Sequence, residues 1–251
     1  VSEVTLAKLE YSTAYNTMPP PPYLLMHWDH RMTQSDKDAL LNWIYHERVT
    51  HYATPGNPPE VMRRNVQPLP ERVEEDAAKV ALGDTLFHDV RLSKDDTISC
   101  ASCHDLAQGG TDQLQFSVGV GGAVGDINSP TVFNSGFQFM HFWDGRAADL
   151  AEQADGPVNN PIEMASNWEE VTEKLLKDEA FTEAFAAVYP DGYKMENFVD
   201  AIAAFERTLI TPAPFDAFLK GDASALTARQ QEGYQLFQDF SCATCHAGVI
   251  L

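Results

Sequence analysis

All four cysteines of this 251-residue chain fall in two copies of one pattern, Cys100-Ala101-Ser102-Cys103-His104 and Cys242-Ala243-Thr244-Cys245-His246. That spacing suits one reaction: two thiols add across the two vinyl groups of a porphyrin, and the adjacent histidine reaches the iron as its proximal ligand. The pair therefore predicts two covalently bound haem c groups, with His104 and His246 on iron and Cys100, Cys103, Cys242 and Cys245 as the attachment points. Rival readings fit less well. A thioredoxin-type site needs one Cys-x-x-Cys near a βαβ pattern, and zinc sites do not call for histidine directly after the second cysteine. Disulfide frameworks belong to small, cysteine-dense domains.

The elements that must position these motifs read as helices. Gly83-Asp-Thr-Leu86-Phe87-His-Asp89 precedes the first motif and Gly233-Tyr-Gln-Leu236-Phe237-Gln-Asp239 the second, an internal repeat in which a helix delivers the chain to its cysteines. Asn167, with Glu170 three residues on, predicts a helix start, followed by Val171, Leu175, Leu176, Phe181 and Phe185 at near-helical spacing. Met195 to Ile210 places Phe198, Ile202, Ala203, Phe205 and Leu209 on one face, and the prolines at 212 and 214 end it. Thr227 and Gln230 form a second capping box, and Ser35 to Asp38 caps a helix carrying Leu40, Leu41, Trp43, Ile44 and Tyr45. No segment alternates like a strand, so the fold class is mainly α.

Residues 109–134, rich in Gly, Ser, Asn and Val without a helical period, read as a long functional loop. Three segments follow: 1–62, an N-terminal helical unit closed by the linker Gly56-Asn-Pro-Pro59 and too short for a core unless something packs on it; 63–212, a first haem domain; and 213–251, the truncated start of a second.

The formal net charge of −20, from 37 acidic against 17 basic residues, excludes a nucleic-acid partner. It suits a basic electron donor, and equally plain solubility. No run of 18 apolar residues exists, so no transmembrane segment is expected. The chain starts at Val1 without an initiator Met or secretory segment. Haem attachment of this type takes place outside the cytoplasm, which predicts a periplasmic protein whose signal segment has been removed.

Between the two motifs a family resemblance emerges. Leu82-Gly83 to Phe87, Arg91-Leu92-Ser93, Ser99 to Asp105, Gly109-Gly110, Asn128-Ser-Pro-Thr-Val-Phe-Asn134, Phe142-Trp-Asp-Gly-Arg-Ala147, Gln153, Gly156-Pro157, Glu163-Met164 and Ala204 to Thr208 resemble the bacterial di-haem cytochrome c peroxidases in order and spacing, over about residues 66–251. The resemblance implies two cytochrome-c-like haem domains, with the long loop between the first haem motif and the distal-pocket segment. His104 would hold the peroxidatic haem and His246 the electron-entry haem. Glu163 matches the family's distal acid-base glutamate, Gln153 its distal glutamine, and Trp143 the tryptophan placed between the haems. The implied reaction is reduction of hydrogen peroxide to water, with electrons entering at the second haem. A small cytochrome c, a cupredoxin or a quinol would be the donor. The resemblance also implies a Ca²⁺ held partly by Asn128, and a homodimer. Asp144 and Arg146 read as an ion pair or propionate contact.

One departure bears on mechanism. Where well-studied members carry Ser-x-Gly-His, and the histidine caps the resting peroxidatic iron, this chain has Ser117-Val118-Gly119-Val120. With no histidine between His104 and His141, the first iron is expected to be open or water-ligated even when oxidised. His141, in place of the more usual glutamine, reads as a packed or surface histidine, and His27, His30, His46 and His51 as solvent histidines. Met18, before a run of four prolines, resembles the iron-capping methionine of a mono-haem cytochrome domain, which would make the parent protein tri-haem. Two other functions stay open: a di-haem oxidase that matures a partner protein, separated from peroxidases by the second haem's sixth ligand, and a plain electron-transfer di-haem cytochrome.

Overall fold

In a computed structural model, residues 1–54 and 57–250 are described; Gly56 of the expected linker lies outside them. The chain divides into two compact units, one made of Val1–Arg72 with Pro212–Leu251 and the other of Val73–Thr211. The first unit opens with α1 (Glu3–Ala14), α2 (Pro21–Met26) and α3 (Gln34–His51). The second holds α4 (Ala77–His88), α5 (Cys100–Cys103), α6 (Leu150–Asn159), α7 (Trp168–Leu175), α8 (Glu179–Val188) and α9 (Met195–Thr208). The chain then returns to the first unit through α10 (Pro214–Leu219) and α11 (Ala228–Asp239). Among the described residues the β-structure is limited to isolated bridges, Val66 with Gly248, Val118 with Val124 and His141 with Ala147.

The 73–211 unit is organised around the pairing of α4 with α9. Gly83 makes that approach feasible, because a Cβ there would lie 2.0 Å from the Ala201 carbonyl oxygen. Leu82, Leu86, Phe185, Phe198 and Ile202 fill the core beside them. The expected helix after Asn167 is two helices, not one. Asn167 does cap α7, its side chain accepting from the Glu170 N–H, but Asp178 caps a fresh start at α8. Leu176 falls in the break and is exposed, whereas Val171, Leu175, Phe181 and Phe185 are buried.

In the other unit the first 72 residues do not stand alone, because 212–251 supplies the partner that so short a segment needs. Val66, Leu219 and Ala243 form the buried centre, ringed by Phe215, Phe218, Tyr234 and Phe237. Gly248 and Val66 pair as a parallel bridge, Gln67 N–H donating to the Gly248 carbonyl at 2.8 Å. Arg48 of α3 is fully buried and bonds Glu3 and Glu10, each at 2.7 Å. The cap of α3 is Thr33, not Ser35: Thr33 exchanges hydrogen bonds with Asp36, and the helix begins at Gln34. The capping box expected at Thr227 and Gln230 is present at α11.

Candidate haem pocket

The first motif is held in one short turn. Ser99 caps α5, which spans Cys100 to Cys103, and His104 follows as its C-terminal cap. Asp105 then accepts from the Ala107 N–H, and the chain reverses through Gly109 (φ 83°) and Gly110 (φ 73°), left-handed positions that favour glycine. This reversal sets the imidazole. His104 Nδ1 lies 3.3 Å from the Gly110 carbonyl oxygen. A ring that donates from Nδ1 to a backbone carbonyl is fixed in the tautomer whose Nε2 lone pair can face a metal. Burial pushes the His104 pKa down, so the imidazole is neutral, as a ligand must be.

His104 opens onto a cavity of about 350 Å³, which Cys100, Cys103, Asn128, Trp143, Gln153 and Glu163 also line. Every residue predicted for the first haem thus faces one space, inside the roughly 300–1,000 Å³ range of small-molecule sites. Both cysteines are free thiols, raised in pKa by burial above all. Two neutral thiols, one neutral imidazole and a cavity among Ile98, Val132 and Ile202 match the needs of a covalently attached porphyrin.

Glu163 sits on the turn after α6. Its carboxyl accepts from Asn160 Nδ2 at 2.6 Å, and its backbone carbonyl accepts from the Val120 N–H at 2.9 Å. Burial raises its pKa, while the Asn160 hydrogen bond and the Arg146 charge pull the other way. The 117–120 segment that departs from the Ser-x-Gly-His pattern is the strut behind this acid. A Cβ at Gly119 would lie 2.2 Å from the Ile162 carbonyl oxygen and 2.5 Å from that of Glu163.

Gln153 is carried by α6, whose N-terminus Asp149 caps. Trp143 stands at the tip of a loop closed by the His141–Ala147 bridge, with Phe142 and Gly145 both at positive φ. Its indole N–H donates to the Asn128 carbonyl at 3.1 Å. Arg146 bonds Asp144 at 2.8 Å and stacks its guanidinium 3.5 Å from the Phe142 ring centroid, so the expected ion pair is present. His141 is buried, and burial lowers its pKa. Asn128 is exposed, and among the described residues no three His, Cys, Asp or Glu side chains converge as metal ligands. Asn128 alone does not amount to a calcium shell in this unit.

Two residues of the pocket escaped the sequence reading. Asn160 is invisible as a partner until the turn brings it to Glu163. Glu206 belongs to a quoted motif but received no role. Its signal was available, as the single acid in the buried run Ala201 to Glu206 on α9.

In the other unit, Cys242 to Thr244 form a 3₁₀ turn anchored by buried Ala243, with Cys242 and Cys245 as exposed free thiols. His246 is exposed, with its ring 6.0 Å from that of Phe237. Met18 is also exposed.

A mainly helical unit that gathers a Cys-x-x-Cys-His turn, an apolar cavity and a half-buried acid defines a haem protein of the cytochrome c class. The chain belongs to the di-haem cytochrome c peroxidase family, whose profile matches residues 77–224. A haem-binding-domain profile matches residues 2–46. The chain is 53% identical to the cytochrome c peroxidase Ccp of Escherichia coli (strain K12), over 100% of its own length and 54% of that protein's. It is 43% identical to the cytochrome c551 peroxidase of Pseudomonas aeruginosa, over 77% of this chain and 56% of the relative. Among solved structures, a MauG-like protein associated with microbial copper homeostasis aligns with TM-score 0.61 at 29% identity, covering 67% of this chain and 53% of that one. The chain spans about half the length of the curated relatives it matches. No helix among the described residues is long and apolar enough to cross a membrane.

Proposed function

We propose that this chain is the peroxide-reacting part of a periplasmic enzyme that reduces hydrogen peroxide to water. Electrons enter at a haem held by His246 and pass to one held by His104. The observation that carries the reading is the sharing of one cavity by His104, Gln153 and Glu163, with the acid half-buried and hydrogen-bonded. When bound, the haem supplies the redox chemistry that splits the O–O bond. The chain's own residues do the rest. His104 presents Nε2 because Gly110 holds Nδ1. Gln153 orients the peroxide through its amide. Glu163, ionised, accepts the proton of the peroxide oxygen that stays and returns it to the oxygen that leaves as water. The aromatic ring of Trp143, on the cavity wall, serves as the bridge for electrons. Residues 2–46 act as part of a further haem-binding domain in which Met18 would be an iron ligand, and Asn128 would give one oxygen to a calcium ion.

With Val120 in the loop-histidine position, the 117–120 loop offers no imidazole to a haem held by His104, so its iron would be open or water-ligated when oxidised and turnover would need no prior half-reduction. Steady-state peroxide turnover by the oxidised and half-reduced holoproteins tests both points. Equal activity in the two states is expected, with a roughly 100- to 10,000-fold loss of kcat in Glu163→Gln. Full activity of the variant would remove Glu163 from the mechanism. An electron-paramagnetic spectrum showing only low-spin iron at the first haem would overturn the open site.

A further inference from the structure

Glu206 lines the same cavity as Glu163 and Gln153 and has a different environment. It is 5% exposed, and its Oε2 is fully buried with no hydrogen-bond partner. Glu163, another acid lining the cavity, has Asn160 and Arg146 to stabilise its ionised form. Glu206 has no hydrogen-bond donor, and only the charge of Arg207 acts against its burial. Its neighbour in sequence, Arg207, directs its guanidinium to Glu75 instead. A carboxyl buried without a donor pays the desolvation cost of a charge, and so takes a proton unless another positive charge arrives nearby.

The remaining ionisable groups around Glu206 are neutral or already paired. From α5, Cys100 interacts electrostatically with Glu206, and burial keeps its thiol protonated. From α4, Lys79 is bound to Asp200 of α9, and His88 packs its ring edge-on to Phe205. From α6, Asp155 accepts from the Trp168 indole. The 3₁₀ turn Ser135–Phe137 offers only the Ser135 hydroxyl, which donates to Val132. On the cavity wall, His104 and His141 are held neutral by burial, and Arg146 is paired with Asp144. The loop acid Asp126 and Glu163, which carry no positive charge, complete the wall. Against the burial of an ionised Glu206 stands only the charge of Arg207, which is shared with Glu75, and burial prevails.

A haem at His104 would supply a further positive charge in one oxidation state only. The ferric porphyrin carries a net positive charge and the ferrous one is neutral. We propose, on the reading that Cys100, Cys103 and His104 hold a haem, that Glu206 is its redox-linked proton acceptor. One electron from the donor reduces ferric to ferrous iron, and one proton from solvent converts the Glu206 carboxylate to the acid. The net charge of the pocket is then unchanged. Oxidation reverses both transfers. Two of the pocket's acids thus have separate tasks, Glu163 toward the peroxide and Glu206 toward the charge on the iron, their environments setting their affinities for protons apart.

The test is the midpoint potential of the His104 haem in the holoprotein as a function of pH. Haem content and the thioether-haem spectrum of the wild type are measured first. Absence of haem from the Cys100–His104 motif would overturn the haem reading itself, and the proposal with it. With haem in place, one proton per electron is a fall of about 59 mV for each tenfold drop in proton concentration. The wild type is expected to approach that slope within the range from about pH 6 to 8, and Glu206→Gln to lose it there. The same slope in both proteins would overturn the proposal while leaving the haem reading intact. Redox-difference infrared spectroscopy on the wild type covers the case in which the glutamine variant fails to take up haem. A protonated-carboxyl band should appear on reduction and should move in Glu206→Asp. No carboxyl band in the wild type would overturn the assignment.

Discussion

The Asn160 amide donates to Glu163 at 2.6 Å and so stabilises the ionised carboxyl against a burial that favours the neutral one. The balance lies on the side of burial, with the pKa above the ordinary carboxylate range. On the proposed role, in which the ionised form accepts the peroxide proton, kcat/KM should fall as pH drops through that raised value. Asn160→Ala removes a stabiliser of the ion, so the pKa climbs further and the acid limb moves to higher pH. A limb that stays in place in the variant's pH profile would separate Asn160 from the proton step. Glu206 gives a second pH effect, on stability. Its pKa is pushed up by burial to about 8. Between the unfolded carboxyl value of about 4.5 and that one, the folded state binds more protons, so its contribution is fully present below the lower value and lost as pH rises through the upper. Glu206→Gln is neutral throughout. In the haem-free or fully reduced protein its Tm should therefore gain on the wild type as pH is raised from about 5 to 8, and a constant Tm difference would contradict the raised pKa.

At the scale of elements, two glycines do what no other residue could. Gly83 lets α4 approach α9, with the Ala201 carbonyl 2.0 Å from where a Cβ would sit. Gly83→Ala should cost about 1–3 kcal/mol or more, read as a drop in Tm, because backbone cannot yield as a side-chain tip can. Gly119 lets the 117–120 loop brace the turn of Glu163. Gly119→Ala should lower kcat with a smaller change in Tm, since the displaced element carries the acid and not the core. These elements were only partly legible in sequence. Periodicity and caps placed α7, α9 and α11 well, because Asn167 and Thr227 are local signals and the apolar face of α9 is unbroken. Ser35 misled because Thr33 makes the capping bonds, and Leu176 suggested one helix where Asp178 starts another. The crossing at Gly83 depends on residues more than a hundred positions apart, and so does the cavity that joins Cys100 to Glu206. No local pattern could reveal either. The cysteine motifs needed no tertiary information, since five consecutive residues hold the whole signal.

For the molecule as a whole, the surplus of 37 acidic over 17 basic residues sets the terms on which a donor arrives. A net charge of −20 creates a field that reaches as far as salt allows, about 30 Å at 0.01 M and about 8 Å at 0.15 M. If the natural donor is a basic protein, that field raises its encounter rate, by roughly 10- to 1,000-fold in steered pairs. If the charge serves solubility alone, the encounter rate is indifferent to salt. The two readings part in one measurement. Peroxide turnover is followed with a basic small cytochrome as donor and, separately, with an uncharged reductant, across that range of ionic strength. Steering requires kcat/KM for the cytochrome to fall at least several-fold as salt rises, with kcat nearly constant, because the field acts on encounter and not on electron movement within the protein. The uncharged reductant should show no trend. A flat response from both donors would assign the acidic surface to solubility and leave the choice of donor to the local contacts around the haem at which electrons enter.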